Sequence, residues 1–178
     1  MGGLLTKLRA LFSRKMELVI VGLENAGKTT FLNQISQGEP GQPVPTIGLN
    51  VRQVQKGNLS MKIWDLGGQV QYRPEWPRYA KGTGAIVFVV DASAGDLLQL
   101  ARKELHLMLE DRELTGVPLL VLANKVDLEP HLSEPEIIQG LNLDYVIENP
   151  WVVISISALR GTNIERVVDW LINKSKET

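Results

Sequence analysis

The chain has 178 residues, 44% hydrophobic and 22% charged, which is typical of one ordinary globular domain. A formal net charge of -1 gives no electrostatic basis for binding nucleic acid, and the absence of cysteine excludes disulfides, thiolate metal sites and thiol catalysis. No apolar run reaches the roughly 18 residues of a transmembrane helix.

The first fifteen residues, MGGLLTKLRALFSRK, contain four basic residues and no acidic one. The apolar residues recur at the spacing of one helix face: Leu4, Leu5, Leu8, Leu11 and Phe12. Gly2 followed by Thr6 fits the N-myristoylation pattern M-G-x-x-x-S/T. We therefore predict an amphipathic membrane-binding helix over 1–15, ahead of a main domain over 16–178. A helix that simply docks on the domain is the alternative.

Strand-like and helix-like segments alternate along the main domain. Strands are predicted over 16–21, 49–55, 59–65, 85–91, 117–124 and 151–157. Helices are predicted over 28–37, 96–111, 133–140 and 163–174. This order predicts an α/β fold with a mostly parallel six-stranded sheet, one antiparallel hairpin and helices on both faces. In such a sheet, ligands bind outside the carboxyl ends of the strands.

The segment that follows the first predicted strand, Gly22–Thr29, fits the phosphate-loop pattern G-x-x-x-x-G-K-S/T. Its glycines let the backbone approach a phosphate chain, which successive N–H groups and a helix N-terminus then bind. Lys28 supplies charge for the outer phosphates, and the Thr29 hydroxyl is placed to ligate Mg²⁺. A chance glycine-rich turn is the alternative, but the strand-loop-helix context favours a nucleoside triphosphate.

Two short motifs indicate which base is bound. NKVD, residues 124–127, ends an apolar strand, and a carboxylate there can accept hydrogen bonds from guanine N1–H and N2–H₂, which adenine lacks at that edge. Lys125 can lay its aliphatic stem along the ring. SAL, residues 157–159, follows the last strand, where its N–H groups can meet guanine O6. Either motif alone is an ordinary polar turn, but together with the phosphate loop they predict guanine.

With these motifs the chain resembles a small GTPase with the Ras-like P-loop NTPase fold. WDLGGQ (64–69), PTIGLN (45–50) and RPEWPRY (73–79) resemble the Arf and Arf-like family, and the resemblance covers essentially the whole chain. KGNLSMKIWDLGGQ, KELHLML and WLINKSK are most similar to the Arf-like branch associated with lysosomes and late endosomes.

The resemblance implies a set of site residues. Those implied to hold GTP or GDP are Glu24, Asn25, Ala26, Gly27, Lys28, Thr29, Thr30, Thr46, Gly68, Asn124, Lys125, Asp127, Ser157, Ala158 and Leu159. Mg²⁺ is implied to bind Thr29, Thr46 and, through water, Asp65. Thr46, in the loop 38–48 that we call switch I, meets the metal and the γ-phosphate only in the GTP state. Gly68 offers its N–H to the γ-phosphate, and Gln69 orients the attacking water, so Gln69, Lys28 and Thr46 are the predicted catalytic residues.

The implied reaction is hydrolysis of GTP to GDP and phosphate. No arginine falls where the family would place a finger in cis, and Arg52, Arg73 and Arg78 are interpreted as surface charges. We therefore predict slow hydrolysis that an activating protein accelerates with its own arginine. An exchange factor and effectors are further implied partners of a monomer, and the expected effector contacts are Leu49, Trp64 and Tyr79. Leu49 departs from the phenylalanine that the family more often has there.

The implied function is a switch that, in its GTP state, recruits effectors to a membrane for vesicle or organelle traffic. The expected location is the cytoplasmic face of lysosomes, late endosomes or the Golgi, with a cytosolic pool. The lysosomal branch usually lacks Gly2 and carries an acetylated N-terminus, so the lipid state of this glycine stays open. The alternatives are a GTP-binding scaffold with negligible hydrolysis and a P-loop kinase, although no arginine-rich lid or acceptor pocket is evident for the latter.

Overall fold

The computed structural model describes residues 2–11 and 13–177, and these residues form one six-stranded sheet with helices against it. The strands are β1 (Arg14–Val21), β2 (Leu49–Lys56), β3 (Leu59–Leu66), β4 (Ala85–Asp91), β5 (Leu119–Asn124) and β6 (Trp151–Ser155). The α-helices are α1 (Gly2–Leu11), α2 (Lys28–Gln37), α3 (Trp76–Ala80), α4 (Leu98–Leu109), α5 (Glu134–Gly140) and α6 (Ile164–Lys174).

The strand order across the sheet is β2-β3-β1-β4-β5-β6, and β2 alone of these strands runs antiparallel to its neighbour. The predicted fold is therefore confirmed: a mostly parallel sheet with one antiparallel hairpin. Because β1, β3, β4, β5 and β6 are parallel, their carboxyl ends meet at one edge of the sheet. The loops that follow these ends carry the predicted site motifs.

Two apolar layers cover the sheet, one on each face. Alternate residues of β1 divide between them: Leu18 and Ile20 pack with α2 and α6, whereas Val19 and Val21 pack with α3, α4 and α5. Every one of these four side chains is at most 1% exposed. Burial on both faces explains why the central strands are almost continuously apolar in sequence.

Several element boundaries differ from the prediction. β1 begins at Arg14 instead of residue 16, because Arg14 pairs with Leu59 and its N–H donates to the carbonyl of Asn58 in the hairpin turn. The first strand of the sheet thus starts inside the segment assigned to the N-terminal helix. β5 begins only after Pro118, which has no N–H to donate to a neighbouring strand. α3 was not predicted, because its five residues are too few to show a period.

The N-terminal helix α1 exposes three leucines of its predicted apolar face. Leu4, Leu5 and Leu8 are 70%, 64% and 44% exposed, which favours a free apolar face over one docked on the main domain. Phe12, the last residue of that predicted face, lies outside the described residues. Among the residues described, no helix has the length and hydropathy needed to cross a bilayer.

Candidate nucleotide-binding site

The loop between β1 and α2 requires its two glycines. Gly22 and Gly27 have φ values of 144° and 97°, which L side chains rarely adopt. A Cβ on Gly22 would collide with the carbonyl of Val89 in β4, and a Cβ on Gly27 would collide with the amide of Asn124 at the end of β5. The loop is therefore pressed against the neighbouring strands, and α2 begins at Lys28 with its N-terminus facing the loop.

The Lys28 side chain is almost completely buried beside this loop. It is 6% exposed, and its Nζ donates to the carbonyl of Leu23 at 2.7 Å. Burial lowers the pKa of Lys28 to about 8. The Asp65 carboxylate raises this pKa, whereas the Arg73 guanidinium lowers it further. A phosphate placed in the loop would stabilise the charged form and so raise this pKa again.

Three side-chain oxygens that the family resemblance assigns to Mg²⁺ lie close together beside Lys28. Thr29 Oγ1 lies 2.8 Å from Thr46 Oγ1 and donates to Asp65 Oδ2 at 2.9 Å, while Thr46 Oγ1 lies 3.3 Å from the same carboxylate oxygen. The other oxygen, Asp65 Oδ1, is buried and has no hydrogen-bond partner among the described residues. Burial raises the pKa of Asp65, against the hydrogen bonds from Thr29 and Thr46 and the charge of Lys28.

This donor set fits Mg²⁺, which prefers oxygen ligands and is usually bound through one or two protein groups together with phosphate oxygens and water. Over the residues that the structure describes, no group of three or more His, Cys, Asp or Glu side chains converges. A site that the metal shares with a nucleotide needs only the hydroxyls and the carboxylate found here.

The Gly67–Gly68 pair brings switch II, residues 67–72, against both the phosphate loop and switch I. The N–H of Gly67 donates to the carbonyl of Gly48 at 2.8 Å, and a Cβ on Gly67 would lie only 2.8 Å from the carbonyl oxygen of Thr46. A Cβ on Gly68 would collide with the backbone of Leu23 and Glu24. Both residues must therefore be glycine for the two switches to lie this close to the phosphate loop.

A cavity of about 530 Å³ lies between these three segments. Its lining residues are Glu24, Asn25, Gly27, Lys28, Thr29, Thr30, Pro43, Val44, Pro45, Thr46, Gly68, Gln69 and Leu97. All the predicted phosphate and switch residues except Ala26 are thus brought together around one space. Gln69 is one of these lining residues, and its Oε1 accepts a hydrogen bond from Gln71 Nε2 at 2.9 Å.

The predicted guanine motifs meet at the adjacent part of the sheet edge, held by Asn124. Its Nδ2 donates to the carbonyl of Ala26 at 2.9 Å, and its Oδ1 accepts from the N–H of Ala158 at 3.0 Å. Ser157 Oγ donates to Asp127 Oδ1 at 2.7 Å. The phosphate loop, NKVD and SAL are therefore joined by hydrogen bonds, with Asp127 and Leu159 exposed.

Lys125 makes a contact that the sequence analysis missed. Its Nζ donates to the carbonyl of Asn25 at 2.6 Å and pairs with Asp91 Oδ2 at 2.7 Å. Burial alone would raise the pKa of Asp91, but Lys125 and Ser93 together hold it below its usual value. The contact could have been inferred from strand position, because Asp91 ends β4 directly opposite Asn124 on β5 and Lys125 follows Asn124.

Two of the three arginines interpreted as surface charges are not surface charges. The Arg73 side chain is only 10% exposed, and it bonds to the Gly68 carbonyl and to Glu104. Half-buried Arg52 donates to Asn33 Oδ1 at 2.7 Å and to Ser36 Oγ at 3.2 Å. Only Arg78, which is 76% exposed, fits that interpretation. The hydrogen-bond partners of Arg73 and Arg52 are 5 to 31 positions away in sequence. A local sequence pattern therefore does not reveal them.

Of the predicted effector residues, Leu49 on β2 is exposed, whereas Trp64 on β3 and Tyr79 on α3 are half-buried and pack against the apolar layer beneath them. The rings of Trp64 and Tyr79 are 5.8 Å apart, and Leu49 is 37% exposed at the start of β2. Val51 pairs with Trp64 in the hairpin and is 41% exposed. It therefore adds to this apolar surface, although sequence reasoning did not single it out.

Comparisons with known proteins agree with this geometry. A model of the ADP-ribosylation factor family matches residues 2–175. ADP-ribosylation factor-like protein 8c of Arabidopsis thaliana is 44% identical over 175 residues, covering 97% of this chain and 95% of that protein. ADP-ribosylation factor-like protein 8b of the same plant is 42% identical over 177 residues, covering 98% and 96%.

Among solved structures, the Arl6 BBS3 small GTPase of Trypanosoma brucei with bound nucleotide analogue GppNp superposes with a TM-score of 0.85. It is 29% identical in sequence, and the match covers 92% of this chain and 98% of that one. The family resemblance drawn from WDLGGQ and its neighbours is thereby confirmed. The chain belongs to the ADP-ribosylation factor family, whose Arf-like members bind guanine nucleotides and hydrolyse GTP.

Proposed function

We propose that this protein is a membrane-recruited switch whose GTP form binds effectors through the surface around Leu49, Trp64 and Tyr79. The observation that carries the proposal is the approach of both switches to the phosphate loop. Thr46 lies 2.8 Å from Thr29, and Gly68 packs on the backbone of Leu23 and Glu24. A γ-phosphate in the cavity would bind both segments at once, so its loss would release both.

In the proposed hydrolysis, the residues of this chain position the nucleotide and neutralise its charge. The phosphate-loop N–H groups and Lys28 hold the β- and γ-phosphates, and Gln69 orients the attacking water. Thr29, Thr46 and, through water, Asp65 would hold Mg²⁺, which supplies further neutralisation of phosphate charge when it is bound. Asp127 accepts hydrogen bonds from guanine, while Lys125 and the backbone of Ser157–Leu159 enclose the base.

We infer that hydrolysis is slow without an activating protein. The Gln69 amide oxygen is occupied by Gln71 at 2.9 Å, and Arg73 is engaged by Gly68 and Glu104. An activator that supplies an arginine and reorients Gln69 would add the missing charge stabilisation. An exchange factor would complete the cycle by releasing GDP.

The membrane is the proposed site of action because α1 is a ready amphipathic anchor. Leu4, Leu5 and Leu8 are exposed while the switches are drawn in to the phosphate loop. Basic residues in the same segment suit an anionic cytoplasmic leaflet. We propose lysosomes or late endosomes as the address, with the Golgi as the alternative, and transport of vesicles or organelles as the process.

Flotation with vesicles tests the anchor and the switch together. The full chain is loaded with GDP or with a non-hydrolysable GTP analogue and mixed with vesicles that contain about one-fifth anionic lipid. We expect the GTP-analogue form to float and the variant with Leu4, Leu5 and Leu8 all changed to alanine to stay in solution. Leu107→Ala is the matched control, since Leu107 is a 54% exposed leucine on α4. Equal flotation of the triple variant and the parent chain would contradict the anchor.

The mass of the N-terminal peptide, taken from the chain expressed in eukaryotic cells, shows whether a lipid on Gly2 adds to the membrane binding of α1. A myristoyl group on Gly2 means that an acyl chain and α1 bind together, because one acyl chain alone gives only marginal attachment. An acetyl group leaves α1 as the whole anchor, as in the lysosomal branch that the sequence resembles. Either mass is compatible with the switch, whereas a chain cleaved within α1 would remove the proposed anchor.

A further inference from the structure

The Gly68 carbonyl is held by a side chain from outside switch II. Arg73 Nε donates to this oxygen at 3.0 Å, and Arg73 Nη1 pairs with Glu104 Oε1 at 3.3 Å. The Arg73 and Glu104 side chains are 10% and 14% exposed, so the pair is largely shielded from water. Shielding strengthens a charge-assisted hydrogen bond relative to one on the surface.

This hydrogen bond fixes one particular peptide plane. The carbonyl of Gly68 and the N–H of Gln69 belong to the same planar group, so holding the oxygen also sets the orientation of the Gln69 backbone. Glycine permits many orientations of that plane, and an external hydrogen bond selects one of them. The preceding plane, which carries the Gly68 N–H, is held in the same way, because Trp76 Nε1 donates to the Gly67 carbonyl at 3.1 Å.

Glu104 supplies a rigid anchor for Arg73. It lies on α4, which is fixed on the sheet by buried Ala101, Leu105 and Met108. The guanidinium presents its donors in a fixed plane, so bonding to Glu104 orients the Nε–H that meets Gly68. A lysine has one charged nitrogen on a flexible stem and cannot reproduce both directions.

We propose that Arg73, braced by Glu104, is a positioning residue for GTP hydrolysis that holds the Gly68–Gln69 peptide in its GTP-state orientation. The inference rests on the proposed roles of Gly68 toward the γ-phosphate and of Gln69 toward water. The inference also links α4 to Gln69, because a displacement of Glu104 would move the Arg73 side chain and with it the Gly68–Gln69 peptide.

Single-turnover hydrolysis and nucleotide affinities of four variants test this role. In Arg73→Gln we expect hydrolysis to be about tenfold slower. The ratio of GTP-analogue affinity to GDP affinity should fall by a similar factor, because one charge-assisted hydrogen bond is lost. Arg73→Lys should resemble it, and Glu104→Gln, which keeps an acceptor oxygen, should lose roughly threefold. Arg78→Gln removes the same charge from an exposed arginine and should change neither quantity.

The GDP-bound melting temperature separates positioning from general support of the fold. A variant that loses affinity for GDP and the GTP analogue equally, with a lowered melting temperature, would show that Arg73 is merely structural. Full activity in Arg73→Lys, or unchanged rates in Arg73→Gln, would also overturn the inference. If the parent chain itself fails to prefer a guanine triphosphate or to hydrolyse it, the proposed function fails instead, and that result is visible without any variant.

Discussion

The proposed guanine end and the proposed γ-phosphate end of the site are built in different ways. At the guanine end, the Asn124 side chain bonds to the backbone of Ala26 and Ala158, and Ser157 bonds to Asp127, so three loops are tied together within the protein. At the γ-phosphate end, switch I exposes 75% of Val44 and 82% of Ile47. Its hydrogen bonds to the site run through Thr46 and Gly48, and the Pro40 carbonyl accepts a further one from Asn33 on α2.

The difference assigns a separate task to each end. A preformed guanine end binds GDP and GTP alike, because both carry the same base. A switch segment with few contacts of its own has low local stability, so the γ-phosphate can determine its conformation. Changes at the guanine end should therefore alter which base binds, whereas changes at the other end should alter the response to GTP.

The largest effect is expected for Asp127→Asn. The substitution removes the carboxylate that accepts hydrogen bonds from guanine N1–H and N2–H₂. We expect GTP and GDP affinities to fall together by about 10³-fold, because two charge-assisted hydrogen bonds are lost. Xanthosine nucleotides should bind better than in the parent chain, because the new amide can donate to the oxygen at C2.

Competition between GTP and xanthosine triphosphate for the same fluorescent analogue measures this exchange. The fold is protected, since asparagine keeps an oxygen that can accept from Ser157 Oγ, as Asp127 does at 2.7 Å. Unchanged affinity for GTP would refute the guanine assignment. A loss confined to GTP, with GDP binding retained, would refute the separation of the two ends.

Gln69→Leu should affect the other end alone. We expect single-turnover hydrolysis to fall by on the order of 10²-fold, because a group that positions the water is lost. GDP affinity should be unchanged. Gln71→Leu is the matched control: it removes the 2.9 Å hydrogen bond to Gln69 Oε1 and should leave the rate unchanged or raise it. Equal loss in both variants would mean that the pair acts as one structural unit.

These predictions differ in how far the sequence alone supports them. The phosphate loop, NKVD and the parallel sheet follow from local patterns, since glycine spacing and apolar strands report backbone requirements directly. Arg73 and Asp91 do not, because their partners Glu104 and Lys125 lie 31 and 34 positions away. Such contacts depend on which strands become neighbours and on the facing side of α4. The interpretation of Arg73 as surface charge was wrong for that reason.

Titration of Lys28 should separate phosphate binding from base binding. The pKa of about 8 in the nucleotide-free protein lies below the ordinary 10.5, so the lysine loses its proton as pH rises through 8, and triphosphate binding must restore it. GTP affinity should therefore fall about tenfold between pH 7 and pH 9 relative to Lys28→Arg, whose guanidinium stays charged.

Calorimetry in buffers of different ionisation enthalpy checks the same prediction. At pH 8.5 binding should be accompanied by proton uptake in the parent chain and by none at position 28 in Lys28→Arg. By the same linkage, the unfolded chain binds this proton more tightly than the nucleotide-free fold. Stability of that fold should therefore rise with pH from about 8 toward 10.5. Equal proton uptake by the two proteins would show that Lys28 is already charged before the nucleotide binds.

The smallest effect concerns the support behind the guanine end. Ser133 caps α5 in a reciprocal arrangement with Glu136, and Glu134 at the start of this helix accepts from the N–H of Ser155, two residues before Ser157. Ser133→Ala should lower the melting temperature by about 3 °C, the usual cost of losing one N-cap. Ser133→Asp, an equally good cap, should restore it. Because Glu134 of α5 bonds to the strand that leads into the base-binding loop at Ser157, we expect GDP and GTP affinities to weaken by the same small factor. A change in their ratio would mean that this helix also supports the switches, and the two ends would then be coupled through the sheet.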